Sequence, residues 1–136
     1  MGAPATVREE LDHACGPEAF TAQPTADAVP TLWLDRELLL KALRHLKEAV
    51  PAPFAMLYDL TAVDERERHH REGLPPADFT AVYHLLSLDR NADVRLKVAL
   101  LEGDLRLPSA TGIWRAANWY EREVWDLFGI RFEDHP

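Results

Sequence analysis

The chain has 136 residues, of which 47% are hydrophobic and 28% charged, and a formal net charge of −8. That length and balance suit one soluble globular domain over residues 1–136, built around a single core. The negative charge argues against capture of nucleic acid or of an anionic membrane surface, both of which need clustered Lys and Arg, and leaves proteins as the expected partners.

In chain order, Thr6 followed by Glu9 forms a capping-box pattern, with Val7, Leu11 and Ala14 at helical spacing and Gly16 placed to end a short first helix. The preceding residues lack the basic-then-apolar order of a secretory signal. Cys15 is the only cysteine. It allows no internal disulfide and cannot supply the four thiolates that usually hold an iron–sulfur cluster, so it reads as an inert thiol at a helix end. The runs 20–23 and 29–34 flank a turn at Pro24 to Asp27 and read as two short strands. Asp35 is placed to cap a second helix with the stripe Leu39, Ala42, Leu43, Leu46 and Val50, stopped by Pro51.

From Phe54 to Val63 there is no polar face; a short buried helix would share that property, but the run reads as a central strand covered on both sides. The charge-rich stretch from Asp64 to Asp78 reads as a solvated loop. Phe79 to Leu88 and Val94 to Leu101 are joined by a segment of hairpin length. In the second run Val94, Leu96, Val98 and Leu100 alternate with Arg95 and Lys97, which are expected on a solvated or partner-facing side of a sheet. After Pro108, Ser109 or Thr111 could cap a last helix carrying Ile113, Ala117, Tyr120, Val124 and Leu127, ended by Gly129. The order α-β-β-α-β-β-β-α has too few alternating units for a doubly wound sheet. It predicts an α+β fold with a mixed, largely antiparallel sheet and helices packed on it.

The glycines are scattered, so neither a dinucleotide fingerprint nor a phosphate-binding loop can be written. His69 and His70 are adjacent and point apart in any regular structure, with no accompanying ligand spacing. His84 and His135 read as packed or exposed residues. Ser87 and Ser109 lack a nucleophile elbow and suit loop or capping roles. The last helix is richer: Arg115, Trp119, Arg122 and Asp126 share one face, separate from the core stripe, and Arg122 is the natural partner of Asp126. Such a face is either an ordinary surface ion pair or a docking surface, because Trp, Tyr and Arg supply most interface hot spots. Glu121 and Asp126 as an acid–base pair of a small enzyme is a further reading, unsupported by any substrate-binding motif.

The stretch Ala117-Asn-Trp-Tyr-Glu-Arg-Glu-Val-Trp-Asp-Leu-Phe-Gly-Ile130, followed by Phe132 and His135-Pro136, resembles the defining motif of the C subunit of the proton-translocating NADH:quinone oxidoreductase, respiratory complex I. Val82 to Ser87, Leu96 to Leu100 and Leu107 to Thr111 resemble the same family in the same order. The loop from Met56 to Phe79 is similar to the variant in which the C and D subunits are fused. The resemblance implies a non-catalytic, peripheral-arm scaffold that binds no cofactor itself, with flavin and iron–sulfur clusters in neighbouring subunits. It implies packing beside the D and B subunits and association with the cytoplasmic face of a bacterial inner membrane only through the complex. Trp119, Glu121, Arg122, Glu123, Trp125, Asp126, Phe128 and Gly129 carry the motif and are the expected subunit interface. Members of the family continue past the His-Pro pair into a basic tail, so a chain shortened there, or the N-terminal domain of a C/D fusion, is expected. The alternative is the N-terminal domain of the large subunit of a membrane-bound nickel–iron hydrogenase or formate hydrogenlyase.

Overall fold

A computed structural model describes residues 4–69 and 71–136; His70 therefore lies outside the described residues, and His69 is exposed. The first helix, α1 (Val7–Cys15), begins at the expected capping box: the Glu9 N–H donates to Thr6 Oγ1 at 3.2 Å and the Thr6 N–H to Glu9 Oε1 at 3.0 Å. Gly16 ends it at φ 94°, a region that L side chains rarely adopt. Two short strands, β1 (Thr21–Ala22) and β2 (Thr31–Trp33), pair antiparallel and lead into α2 (Arg36–Glu48), whose stripe Leu39, Ala42, Leu43 and Leu46 is buried. Asp35 occupies the N-cap position of α2, but its side chain makes no capping bond. Cys15 is half-buried, and desolvation pushes its thiol up, away from the reactive thiolate.

Three long strands follow: β3 (Met56–Asp64), β4 (Phe79–Ser87) and β5 (Ala92–Leu100). The five-stranded sheet runs β1-β2-β5-β4-β3, antiparallel except for the parallel pair of β2 with β5. The α+β class, with its mixed and largely antiparallel sheet, is as the sequence predicts. Register explains the alternation on β4 and β5: Phe79, Ala81, Tyr83 and Leu85 sit opposite Leu100, Val98, Leu96 and Val94, and this face joins the buried residues of α1, α2 and α3 in one core.

The structure corrects the reading of Phe54 to Val63 as a central strand. β3 is an edge strand with one buried face, Leu57, Leu60 and Ala62, and its apolar Met56 and Tyr58 are exposed. An apolar run without a polar face says nothing of which strands lie beside it, and at an edge one apolar flank stays open. The charged stretch between β3 and β4 is likewise not simply solvated. Glu65 is buried and accepts from Thr80 Oγ1 at 2.5 Å, and Arg68 and Arg71 both approach it, so the segment folds over the second face of the sheet. There the Arg71 and Lys97 cations lie 5.5 and 5.4 Å from the Trp33 ring, while its indole N–H donates to Gln23 Oε1 at 2.8 Å. Burial pulls the Lys97 ammonium below its ordinary pKa, opposed by the nearby Glu65 charge. Arg95 and Lys97 lie on this second face, but the face is partly covered by the chain's own 64–78 segment and is not the solvated or partner-facing side expected; Arg95 pairs there with Asp27.

The last part of the chain adds two elements without a sequence signal. β6 (Arg106–Pro108) and β7 (Arg131–Glu133) form a separate parallel pair on either side of α3 (Ala117–Phe128), with Leu107 opposite Phe132. Each is too short to show a period. Neither Ser109 nor Thr111 caps α3: the N-cap is Ala116, and the first N–H groups are satisfied by tight three-residue turns, Asn118 N–H to Arg115 and Trp119 N–H to Ala116. Ile113 is buried but precedes the helix, and Leu127 is exposed; the buried α3 positions are Ala117, Glu121 and Val124. Gly129 ends α3 in the left-handed region at φ 72°, as expected. The helix is tied to β3 by Tyr120 Oη, which donates to the Tyr58 carbonyl at 3.0 Å, and to β4 by an edge-on contact of Phe128 with Phe79.

Candidate docking face and its buried carboxylate

The motif on α3 divides into an inward anchor and an outward face. Glu121 is the anchor, 1% exposed, and each of its oxygens is occupied. Oε1 accepts from Ser109 Oγ at 2.7 Å and faces His135 Nδ1 at 2.9 Å, while Oε2 accepts from the Ala110 N–H at 2.7 Å. The acceptor requires the hydrogen on Nδ1 of the imidazole. Ser109 Oγ also accepts from the Thr111 N–H at 3.2 Å. One side chain thus fastens three segments that are distant in sequence: the turn after β6, the middle of α3 and the tail after β7. A buried carboxylate is tolerable only with such a complete set of donors.

Tyr83 stands near this carboxylate without sharing in it. Its hydroxyl is buried and has no partner among the described residues, and burial first, then the Glu121 charge, pushes the phenol well above its ordinary pKa. Since the hydroxyl is desolvated with nothing in return, Tyr83→Phe is expected to be neutral or to stabilise the domain by up to about 1 kcal/mol. Urea unfolding measures this, and a loss beyond about 1 kcal/mol would mean that the hydroxyl is in fact bonded.

The outward face follows the helical spacing in part: Trp119, Arg122 and Asp126 are exposed on α3, whereas Arg115, also exposed, lies in the turn before the helix. Trp119 is 69%, Leu127 69% and Trp125 53% exposed, a concentration of large apolar side chains on one short helix. The expected Arg122–Asp126 ion pair does not form among the described residues; Arg122 instead lies 5.7 Å over the Trp119 ring. Glu123 is exposed, Phe128 is half-buried against β4, and Gly129 is the helix cap. Beside the face, Glu121, Arg122, Trp125, Arg131, Phe132 and His135 line a cleft of about 390 Å³. Glu121 faces inward and Asp126 outward, so the two do not form the acid–base pair considered from the sequence.

Sequence reasoning did not find the joint role of Ser109, Ala110 and His135 as holders of Glu121, nor Arg131 as a lining residue. The only available signal was a glutamate on the apolar side of α3, between Ala117 and Val124, where a charge has no place without partners.

Comparison with known proteins agrees with the resemblance in the motif. Residues 32–136 match the family model described as the 30 Kd subunit of respiratory-chain NADH dehydrogenase. The chain is 56% identical over 138 residues to the C/D subunit of the NADH-quinone oxidoreductase of Acidiphilium cryptum, a match that covers 98% of this chain and 23% of that protein. It is 59% identical over 127 residues to the C/D subunit of the Azotobacter vinelandii enzyme, covering 93% and 21% respectively. The chain therefore spans less than a quarter of the length of these curated relatives. Among solved structures, a trypsin-resistant fragment (1–134) of Nqo5 is similar at 31% identity and a TM-score of 0.79, over 93% of this chain and 94% of that one. A chain of an archaeal membrane-bound sulfane sulfur reductase shares the fold, with a TM-score of 0.72 at 24% identity, over 96% of this chain and 69% of that one.

Proposed function

The chain belongs to the family of the 30 Kd subunit of respiratory-chain NADH dehydrogenase, and from that premise we propose that it is a non-catalytic scaffold of the peripheral arm of an NADH:quinone oxidoreductase. In this reading it holds cofactor-bearing neighbours in place through the outer face of α3 and takes no part in the chemistry itself. The observation that carries it is the pairing of an exposed Trp119–Arg122–Trp125–Leu127 surface with a fully bonded Glu121 beneath it. The helix is fixed from within and presents hot-spot side chains outward.

The D and B subunits are the proposed neighbours, and flavin and iron–sulfur clusters are assigned to other subunits. The single cysteine supports the second assignment. Among the described residues no helix is long and apolar enough to cross a membrane. We place the domain at the cytoplasmic face of the inner membrane, associated through the complex, and the similarity to fused C/D proteins supports its being the C portion of such a polypeptide. The hydrogenase reading is less supported, because the Acidiphilium and Azotobacter relatives belong to NADH-quinone oxidoreductases.

Trp119→Ala combined with Leu127→Ala tests the reading in the assembled complex. Loss of one hot spot weakens an interface by about 2 kcal/mol or more, a roughly thirtyfold drop in affinity. The double variant is expected to lose co-purification with the peripheral arm, and membrane NADH:quinone activity with it. Unchanged co-purification, or NADH oxidation by the isolated chain, would refute the scaffold role.

A further inference from the structure

The corner between α3 and β7 differs from the rest of the molecule in its charge pairing. Every arginine from Arg8 to Arg106 has a carboxylate oxygen within 4.0 Å. Arg115, Arg122 and Arg131 have none among the described residues, although the chain carries a net charge of −8. Arg122 and Arg131 line the same cleft as Trp125 and Phe132. The buried Nε2 of His135, also in the lining, lacks a partner among the described residues. Among the described residues Glu121 is the sole carboxylate of the lining, and its oxygens are already taken by Ser109, Ala110 and His135. The cleft sets two guanidinium groups beside aromatic rings, and among the described residues of its lining no carboxylate is free to meet them.

We propose that this cleft receives an acidic segment of a neighbouring protein in the complex, with one Asp or Glu carboxylate held between the guanidinium groups of Arg122 and Arg131 and an adjoining apolar side chain against Trp125 and Phe132. The inference rests on the docking role of α3 proposed for the scaffold and names the chemistry of what docks. Guanidinium groups match a carboxylate through paired hydrogen bonds. A small free anion would leave the half-exposed Trp125 uncovered, whereas a peptide supplies acid and apolar contact together. The exposed Glu123 and Asp126 stand outside the lining on the same helix and repel further negative charge. They select a single acid with apolar neighbours over a polyacidic run.

Arg122→Lys and Arg131→Lys, introduced into the full polypeptide within the assembled complex, keep the charge and add a primary amine. Carbodiimide treatment followed by peptide mass spectrometry is expected to find an isopeptide bond from position 122 or 131 to an Asp or Glu of another protein of the complex, absent in the wild type. Only intrachain bonds, for instance to Asp126, or no bond at all, would overturn the inference. Arg122→Glu with Arg131→Glu should weaken retention in the complex by about tenfold or more, and changing the cross-linked acid to Lys should restore it. If the double reversal is retained as well as wild type, the acidic occupant is wrong while docking through Trp119 and Leu127 stands. If the wild-type chain is absent from the complex, both readings fall.

Discussion

Glu121→Ala is expected to cost the domain about 3 kcal/mol or more, because it leaves three buried or part-buried donors unmatched at roughly 1–3 kcal/mol each. The substitution strands Ser109 Oγ, the Ala110 N–H and His135 Nδ1, all of which now donate to or face this carboxylate between 2.7 and 2.9 Å. Against a total stability of about 5–15 kcal/mol for an ordinary domain, that is a large fraction. In urea the midpoint should fall while the slope stays unchanged. Glu121→Gln should lose less, about 1–3 kcal/mol, because one oxygen still accepts while the amide NH₂ is turned on a donor. A loss below about 1 kcal/mol for Glu121→Ala would mean that the three segments are held by something else. The result bears on function as well, since the outer face of α3 keeps its orientation only while its inner face is fastened.

Arg90→Ala should have the second largest effect. Arg90 leaves the turn between β4 and β5 and meets Glu10 of α1 with its guanidinium fork: Nη2 donates to Oε2 at 2.8 Å, while Nη1 lies 2.6 Å from Oε1 as an ion-pair contact without hydrogen-bond geometry. Its Nε donates to the Ala52 carbonyl at 2.6 Å, and the same group lies 4.8 Å from the Phe54 ring centre. Both partners of the ion pair are largely shielded, at 17% and 9% exposed, so solvent screening does not erase the interaction. Removing the fork leaves Glu10 and a carbonyl unmatched, for roughly 3 kcal/mol. The loss should be uneven. Hydrogen exchange of the α1 amides should accelerate more than that of β4 and β5, because Arg90 is a principal tie between α1 and the hairpin turn. Arg90→Lys keeps the charge but not the planar fork and should recover only part of the loss. Full recovery would show that charge alone holds α1.

The elements legible in the sequence are those whose signal is local. The Thr6–Glu9 box specifies the start of α1 because its two hydrogen bonds span three residues. The α2 stripe and the β4–β5 alternation specify which face is buried, because the period of the backbone maps each residue onto one side. The motif on α3 likewise showed its outward face, and its wording pointed to the family.

What the sequence could not specify depended on neighbours. Periodicity assigns a face but not an adjacent strand, so the run from Phe54 read as central although β3 lies at the edge, and the parallel pairing of β2 with β5 gave no sign. β6 and β7 exist because chain segments that α3 separates are brought side by side, and their few residues carry no pattern. Glu121 and Glu65 illustrate the same limit in side-chain chemistry. A glutamate in a sequence is by default a solvated charge, and each is buried because donors 11 to 15 residues away converge on it. Local hydrogen bonds and periodicity therefore determined helices, faces and family wording. Tertiary structure alone decided strand neighbours, which acids are buried, and which arginines are left without a carboxylate, because each of those depends on groups brought together only by folding.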